Sequence, residues 1–263
     1  LVRAEKLASV GRLAAGVAHE IGNPLGAING YAHLLRRVAG DDASRSAVDG
    51  LEREAARIDR IVRGLLDYGR AHPRGEVRVD LNDTVCAVHT LLATQGVVKN
   101  VNVALDLSDG ALNVRGDRHD LEQVFVNLFL NAVDAMQGTG EINVRTARVP
   151  RDRAAQAAVR RAADPERVAV ARQPSSRVAR WLAGTEGGEV AKIVVADAGP
   201  GVSPDLAERI FDPFVTTKDP GRGTGLGLAI VARIVENCGG TVWVEPSRAG
   251  GAAFHLLFPL DAA

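Results

Sequence analysis

Apolar residues at Leu7, Val10, Ala14, Val17, Ile21, Pro24, Ile28, Tyr31, Leu35 and Val38 alternate at spacings of three and four. A period of 3.5 sustained this long lines one side of a helix with a continuous seam, and a strand, whose side chains alternate every second residue, cannot use it. Leu13, Leu25, Ala27, Ala32 and Leu34 widen the seam beyond what one partner helix covers. That breadth points to a bundle. After a polar break at Gly40, Asp41 and Asp42, a second helix repeats the pattern at Val48, Leu51, Ala55, Ile58, Val62 and Leu65, widened by Ile61 and Leu66. The two helices are expected to form an antiparallel hairpin. Its uncovered stripe would be closed by a second copy, so a homodimer with a four-helix bundle is expected.

The helical pattern stops at Ala71-His72-Pro73-Arg74-Gly75, where Pro and Gly interrupt any helix. A boundary there gives a first domain over 1–72 and a second over 76–263. In the second, strands are expected at Glu76–Val79, Asn102–Leu107, Leu112–Arg115, Glu141–Arg148, Lys192–Ala196, Thr241–Glu245 and Ala253–Phe258. Helices are expected at Leu81–Gln95, Leu121–Gln137, Pro204–Ile210 and Leu226–Cys238, giving an α/β sandwich after the α-helical hairpin. Residues 149–189 have no clear place in the sheet and read as an insertion, with Trp181 as its anchor.

Composition excludes several classes of function. The chain has 263 residues, 32 Lys plus Arg against 32 Asp plus Glu, and 46% hydrophobic residues. It should fold, and it carries no net field for nucleic acid or an anionic membrane. Cys86 and Cys238 signal neither a disulfide framework nor a zinc site. No apolar run approaches the roughly 20 residues that span a bilayer, so no membrane contact is expected and the cytoplasm is the default compartment. The chain opens on Leu1 inside a helical pattern, as a fragment of a longer protein would.

Four constellations could carry chemistry. His19 lies opposite the apolar seam, where its ring meets water, with Glu20 beside it and Asn23 one turn on. Pro24 removes a backbone hydrogen bond and leaves the Glu20 carbonyl without its usual partner. A neutral imidazole is a nucleophile near pH 7, and a neighbouring carboxylate can hydrogen-bond one nitrogen to sharpen the other. The same arrangement also describes a solvated surface histidine. Asn127 and Asn131 share one helix face, where amide oxygens suit a hydrated Mg²⁺ touching phosphates, or are two polar surface residues. Asp197, Gly199 and Gly201 end an apolar strand: the carboxylate could accept from an amino group such as adenine's while the glycines admit a ring, or the glycines simply turn the chain. Gly223, Thr224, Gly225, Leu226 and Gly227 open a helix and form an anion cradle, with Lys218 and Arg222 adding positive charge. No Walker loop is present. His33, His89, His119 and His255 lack a carboxylate or metal-spaced neighbour and are expected to be packing or surface residues, and Trp243 to be core.

The order of these motifs is more specific than any one of them. The run from Leu7 to Leu25 around His19 resembles the phospho-acceptor box of sensor histidine kinases. Asn127 to Ala135 is similar to their N box, Asp197 to Gly201 to their first glycine box, Phe211-Asp-Pro-Phe214 to their F box, and Gly223 to Leu228 to their second glycine box. The nearest subgroup by resemblance is the nitrogen-regulatory sensor kinases. The resemblance implies a helical-hairpin dimerisation domain followed by an ATP-binding α/β sandwich of the gyrase and histidine-kinase type. It implies that His19 takes the γ-phosphate of ATP, that Glu20 is general base or hydrogen-bond partner, and that Asn23 orients water when the partner is dephosphorylated. Asn131, with Asn127, would hold Mg²⁺. Asp197 would read adenine, Gly199 and Gly201 would line the pocket, and Lys218, Arg222 and the glycines at 223, 225 and 227 would hold phosphates under a mobile lid. The partner implied is the aspartate of a response regulator.

Two departures weaken the nucleotide contacts. Asp134 stands where many such kinases have Lys, and Gly251-Ala252-Ala253-Phe254 lacks the Thr of the usual Gly-Thr-x-Phe. The missing Thr and the Arg-rich insertion leave a nucleotide-binding regulatory module without autokinase activity as the alternative reading, against which the complete set of His19, Glu20, Asn127, Asn131 and Asp197 argues. A gyrase-like or chaperone-like ATPase fits less well, since such relatives place Glu where Asn127 stands and lack the His19 hairpin.

Overall fold

The computed structural model describes residues 26–28, 30–38, 40–69, 77–151, 153, 177–178, 181, 188–218 and 223–261. These fall into two compact units, one helical and including Asp212–Gly227, the other comprising residues of Arg74–Phe211 and Leu228–Ala263.

In the helical unit, α1 (residues 26–28 and 30–38) is followed by α2 (Asp42–Gly69). Asp41 caps α2: its carboxylate accepts from the Ser44 amide at 2.7 Å, which satisfies one of the donors a helix start leaves open. That hydrogen bond, with further ones from the Ser44 side chain and the Ala43 amide, holds the Asp41 carboxyl below its ordinary value against a small opposing effect of desolvation. Arg36 ties the helices together, gripping Glu52 through Nε at 3.2 Å and Nη2 at 2.7 Å and also pairing with Asp49. The small residues Ala32, Val48 and Ala55 are buried, while Ile28, Tyr31, Leu34, Leu35, Val38, Leu51 and Ile58 remain exposed. Among the described residues, these members of the apolar stripe anticipated from the heptads are thus exposed.

The second unit starts with β1 (Val77–Asp80), α3 (Leu81–Thr94), β2 (Val101–Asp106), β3 (Asn113–Gly116) and α4 (Arg118–Ala135). It continues with β4 (Gly140–Pro150), β5 (Glu189–Asp197), a 3₁₀ turn (Arg209–Phe211), α5 (Gly227–Asn237, whose first residue belongs to the helical unit), β6 (Thr241–Pro246) and β7 (Ala252–Pro259). Asp80 and Asp117 cap α3 and α4 by accepting from Asn82 and from His119 and Asp120. β1 and β3 pair separately; the main sheet has the order β2-β4-β5-β7-β6, with β2 and β4 parallel and the rest antiparallel. The parallel pair requires a crossover, which α4 supplies.

Alternation along the strands divides the sheet into two faces. Ile142, Val144, Ile193, Val195, Phe254, Leu256, Phe258 and Val242 share the inner face and are buried, together with Leu121, Val124, Phe125, Leu128 and Phe129 of α4. The outer face begins exposed at Asn143 and Arg145 of β4. Towards β6 it becomes buried: Trp243, Leu257 and Val190 form a cluster with Val178, and Val149 and Trp181 pack against it. Trp243 is buried as expected, but on this second face. The insertion therefore covers part of the sheet's back instead of standing apart from it. Trp181 anchors it by donating Nε1–H to the Gly239 carbonyl at 2.6 Å.

Two expectations need correction. Pro204–Ile210 is not an α-helix but a series of turns, bonded Leu206 to Ser203, Ala207 to Pro204 and Arg209 to Leu206, ending in the 3₁₀ turn. Seven residues started by Pro are too few to offset helix nucleation. His119 and His255 do have carboxylate neighbours, with His119 Nδ1 at 3.4 Å from Glu122 and His255 Nε2 at 3.2 Å from Glu245. His119 is exposed, and His255 is buried and stacked on Trp243. The boundary at 71–75 lies outside the described residues.

Candidate functional site

Asp197 ends β5 on the inner face and is buried. Its Oδ1 accepts from two backbone amides, Gly199 at 2.8 Å and Ala252 at 3.1 Å. Among the described residues Oδ2 takes no hydrogen bond, so one oxygen is held and the other is offered. Glycine is required around it. A Cβ on Gly199 would lie 2.9 Å from Asp197 Oδ1 and 3.2 Å from the Ala135 side chain, and one on Gly251 would overlap the Asp197 backbone and carboxylate. Gly201 has φ +79°, a left-handed conformation, and faces the Gly250 and Gly251 carbonyls.

Ala135 ends α4, one turn beyond Asn131, and it is this end of the helix that lies beside Gly199. Asn127 Oδ1 accepts from Gln123 Nε2 at 3.4 Å. Its Nδ2 is buried without a partner among the described residues. A buried donor left open costs about 1–3 kcal/mol, which a ligand oxygen would recover. The described residues contain no cluster of three His, Cys, Asp or Glu side chains able to hold a metal.

Thr216, Lys218 and Gly223–Leu226 belong to the segment within the helical unit. Phe214 N–H donates to the Gly225 carbonyl at 2.9 Å, closing the stem of a loop that contains Lys218 and Gly223. Both stem residues are left-handed, Phe214 at φ +66° and Gly225 at φ +66°. Lys218 folds against Gly223, where a Cβ would sit 3.1 Å from its Cδ. The Lys218 amide donates to Thr216 Oγ1 at 3.2 Å, and the Leu226 amide to Thr224 Oγ1 at 3.3 Å, just ahead of α5. Gly227 is the first residue of α5, whose opening turn leaves amides directed outward.

The structure thus brings Asp197, Gly199 and Gly201 together with the end of α4, and it groups Lys218 with Gly223–Gly227. His19, Glu20, Asn23 and Arg222 lie outside the described residues. Sequence reasoning missed Gly251 and the Ala252 amide as supports of Asp197. The signal was the Gly250-Gly251 pair ahead of a strand, which marks close backbone approach.

Comparison with known proteins agrees with this arrangement. A family model described as "Histidine kinase-, DNA gyrase B-, and HSP90-like ATPase" matches residues 116–262. A second, "His Kinase A (phospho-acceptor) domain", matches residues 9–74. The chain belongs to the sensor histidine kinase family. It is 31% identical over 261 residues to the signal transduction histidine-protein kinase AtoS of Escherichia coli K12, covering 99% of this chain and 36% of AtoS. It is 33% identical to the sensor histidine kinase ZraS of Escherichia coli O157:H7, covering 98% of this chain and 48% of ZraS. The chain therefore spans less than half the length of these kinases.

Among solved structures, full-length ShkA in complex with AMPPNP is similar at a TM-score of 0.63 and 25% identity, covering 96% of this chain and 47% of ShkA. The histidine kinase ThkA in complex with the response regulator TrrA shares the fold at a TM-score of 0.59 and 24% identity, covering 98% of this chain and 64% of ThkA.

Proposed function

We propose that this chain is the kinase core of a sensor histidine kinase, which phosphorylates His19 from Mg-ATP and passes the phosphoryl group to an aspartate of a response regulator. The observation that carries the reading is Asp197, buried, with one oxygen held by two amides and the other taking no hydrogen bond among the described residues. Such a posture suits adenine, and AMPPNP in the ShkA complex is an adenine nucleotide. Lys218 and the amides of Gly223, Thr224, Gly225, Leu226 and Gly227 would hold phosphates, assisted by Arg222. Asn131 with Asn127 would hold Mg²⁺, and the open donor on Asn127 suits an oxygen of phosphate or of metal-bound water. The metal would neutralise charge on the transferring phosphoryl group.

The transfer needs a neutral imidazole. One His19 nitrogen attacks the γ-phosphorus, the bond to the bridging oxygen breaks, ADP leaves, and Glu20 takes or shares the ring proton. The P–N bond then breaks as a carboxylate oxygen of the response regulator attacks, and the proton held by Glu20 returns to the ring, which restores the neutral His19. Asn23 would orient water for dephosphorylation of that partner, as ThkA, a relative in fold, is seen with its response regulator TrrA.

The division into a dimerisation and phosphotransfer domain over 1–72 and an ATP-binding domain over 76–263 belongs to the same reading. The exposed Tyr31, Leu34, Leu35, Val38, Leu51 and Ile58 would be covered in a homodimer. No described helix is long and apolar enough to cross a membrane, and a cytoplasmic site of action fits the ATP supply the reaction needs.

The test is incubation with labelled ATP and Mg²⁺ beside a His19→Ala control. Acid-labile, alkali-stable label absent from the control is the expected result. Nucleotide binding without label would favour the regulatory-module alternative.

A further inference from the structure

Residues four apart on a helix lie one above another, and α4 sets Gln123, Asn127 and Asn131 in such a row. All three are half-buried, while their neighbours Val124 and Leu128 are 0% exposed and seat the helix in the core. Asn127 is held from one side only. Gln123 Nε2 donates to its Oδ1 at 3.4 Å, and its Nδ2 is buried with no partner among the described residues.

An amide has two unlike ends, and half a turn about the last side-chain torsion exchanges them. The reverse pairing, with Gln123 Oε1 accepting from Asn127 Nδ2, would satisfy the buried donor at once and leave Oδ1 open. The chain adopts the pairing that leaves the donor open instead. An NH₂ group can meet only an acceptor. A phosphate oxygen is a good one. The water of a hydrated Mg²⁺ is a poor one, because its lone pair points at the ion and its protons point outward, and the ion itself takes oxygen ligands and not an NH₂.

We propose that Gln123 is a positioning residue for nucleotide binding: by donating to Asn127 Oδ1 it keeps the Asn127 NH₂ turned to an oxygen of the triphosphate, so that Asn127 serves ATP itself and Asn131 is the amide left to offer an oxygen to Mg²⁺. This rests on the reading of the Asn row on α4 as the phosphate and metal end of the site, and it narrows the part given there to Asn127.

The experiment uses the full chain with Gln123→Leu, Gln123→Glu, Asn127→Ala, Asn131→Ala and the double variant Gln123→Leu/Asn127→Ala, each with its nucleotide-free unfolding midpoint matched to wild type. Titration calorimetry gives the affinity for ATP with Mg²⁺ and in EDTA, and the affinity for adenosine. Gln123→Leu frees the Asn127 amide to turn and should weaken ATP about fivefold, less than the loss of a whole hydrogen bond to a charged group. The factor should be the same with and without Mg²⁺. Gln123→Glu keeps the shape of Gln but can only accept, so it should do no better. Asn131→Ala should weaken ATP only where Mg²⁺ is present, and adenosine affinity should hold in every variant. Because Gln123 acts through Asn127, Gln123→Leu should add nothing to the loss in Asn127→Ala. Wild-type ATP affinity in Gln123→Leu, a loss confined to Mg²⁺, a loss shared by adenosine, an Asn131→Ala loss that persists in EDTA, or additive losses in the double variant would overturn the proposal while leaving the nucleotide site standing. A wild-type chain that binds no ATP would instead overturn the site reading and the role of Gln123 with it.

Discussion

The carboxylate of Asp197 and the backbone amide of Ala252, 55 residues apart in the chain, meet at 3.1 Å across β5 and β7. Because an amide and not a side chain makes this contact, it survives the Thr-to-Ala departure from the family pattern at that position. What the departure removes is a hydroxyl, not the support of the carboxylate.

Asp197→Asn isolates the offered oxygen. Asn can keep both backbone contacts through Oδ1 and places an NH₂ where the second oxygen stood, so a donor would face the adenine amino group. ATP affinity should drop about ten- to a hundredfold, corresponding to ~1.5–3 kcal/mol for a hydrogen bond to a charged group. The nucleotide-free unfolding midpoint should stay near that of wild type. Calorimetric titration decides, and unchanged affinity would remove Asp197 from base recognition.

Gly225→Ala tests the loop stem. A Cβ there would lie 2.7 Å from Phe214 Cα, and the residue sits at φ +66°. The left-handed conformation alone costs an L-residue about 1–2 kcal/mol, and the overlap falls on backbone that cannot rotate away. The Phe214 to Gly225 bond should open, ATP should bind severalfold more weakly, and adenosine should bind as before. Equal weakening of both ligands would point to a wider disturbance.

Thr146→Val should destabilise the second unit without touching the site. The Thr146 hydroxyl donates to Asn82 Oδ1 at 2.7 Å and accepts from the Ser108 amide at 2.9 Å, while Asn82 Nδ2 reaches the Ser108 and Gly110 carbonyls. Valine has the same shape and satisfies neither group. A loss of about 1–3 kcal/mol is expected from urea unfolding at unchanged slope.

Asp41 predicts a pH dependence. Its folded pKa lies below the ordinary value, chiefly through the Ser44 amide bond. The cap therefore contributes fully above the unfolded value near ~3.9 and is lost as pH falls through the folded value beneath it. Asp41→Asn keeps an acceptor that does not titrate. Helicity followed by circular dichroism should show a wild-type advantage over Asp41→Asn that is constant above about pH 5 and shrinks below pH 4. An advantage that does not change with pH would exclude the charge as its source.

How far the sequence could be read depended on the range of each contact. The strands and the helices α3, α4 and α5 were legible to within three residues because burial imposes period 2 or 3.6 on their own side chains. Pro204–Ile210 was not, since its length let turn bonding win over helix. Glu122 beside His119 was visible at i+3, whereas Glu245 beside His255 depends on the β6 and β7 register. Asp197, Gly199 and Gly201 could be found locally, but Gly251 is brought to them only by strand pairing. Least legible was the docking of Arg177, Val178 and Trp181. Their partners Phe211, Glu236, Gly239 and Trp243 lie tens of residues away, and no periodicity announces them.

β4 and β5 stay in register to Pro150 and Glu189, and the Arg151 amide still reaches the Gly188 carbonyl at 3.0 Å. The chain leaves the hairpin and re-enters it at a single point. For the sheet, whatever joins those two residues is a matter of ring closure, whose entropy grows only with the logarithm of length. This hairpin end is a natural splice junction for length: residues can be added or removed between Arg153 and Arg177 at little thermodynamic expense, whereas exchanging the whole stretch would also strip Val178 and Trp181 from the back of the sheet.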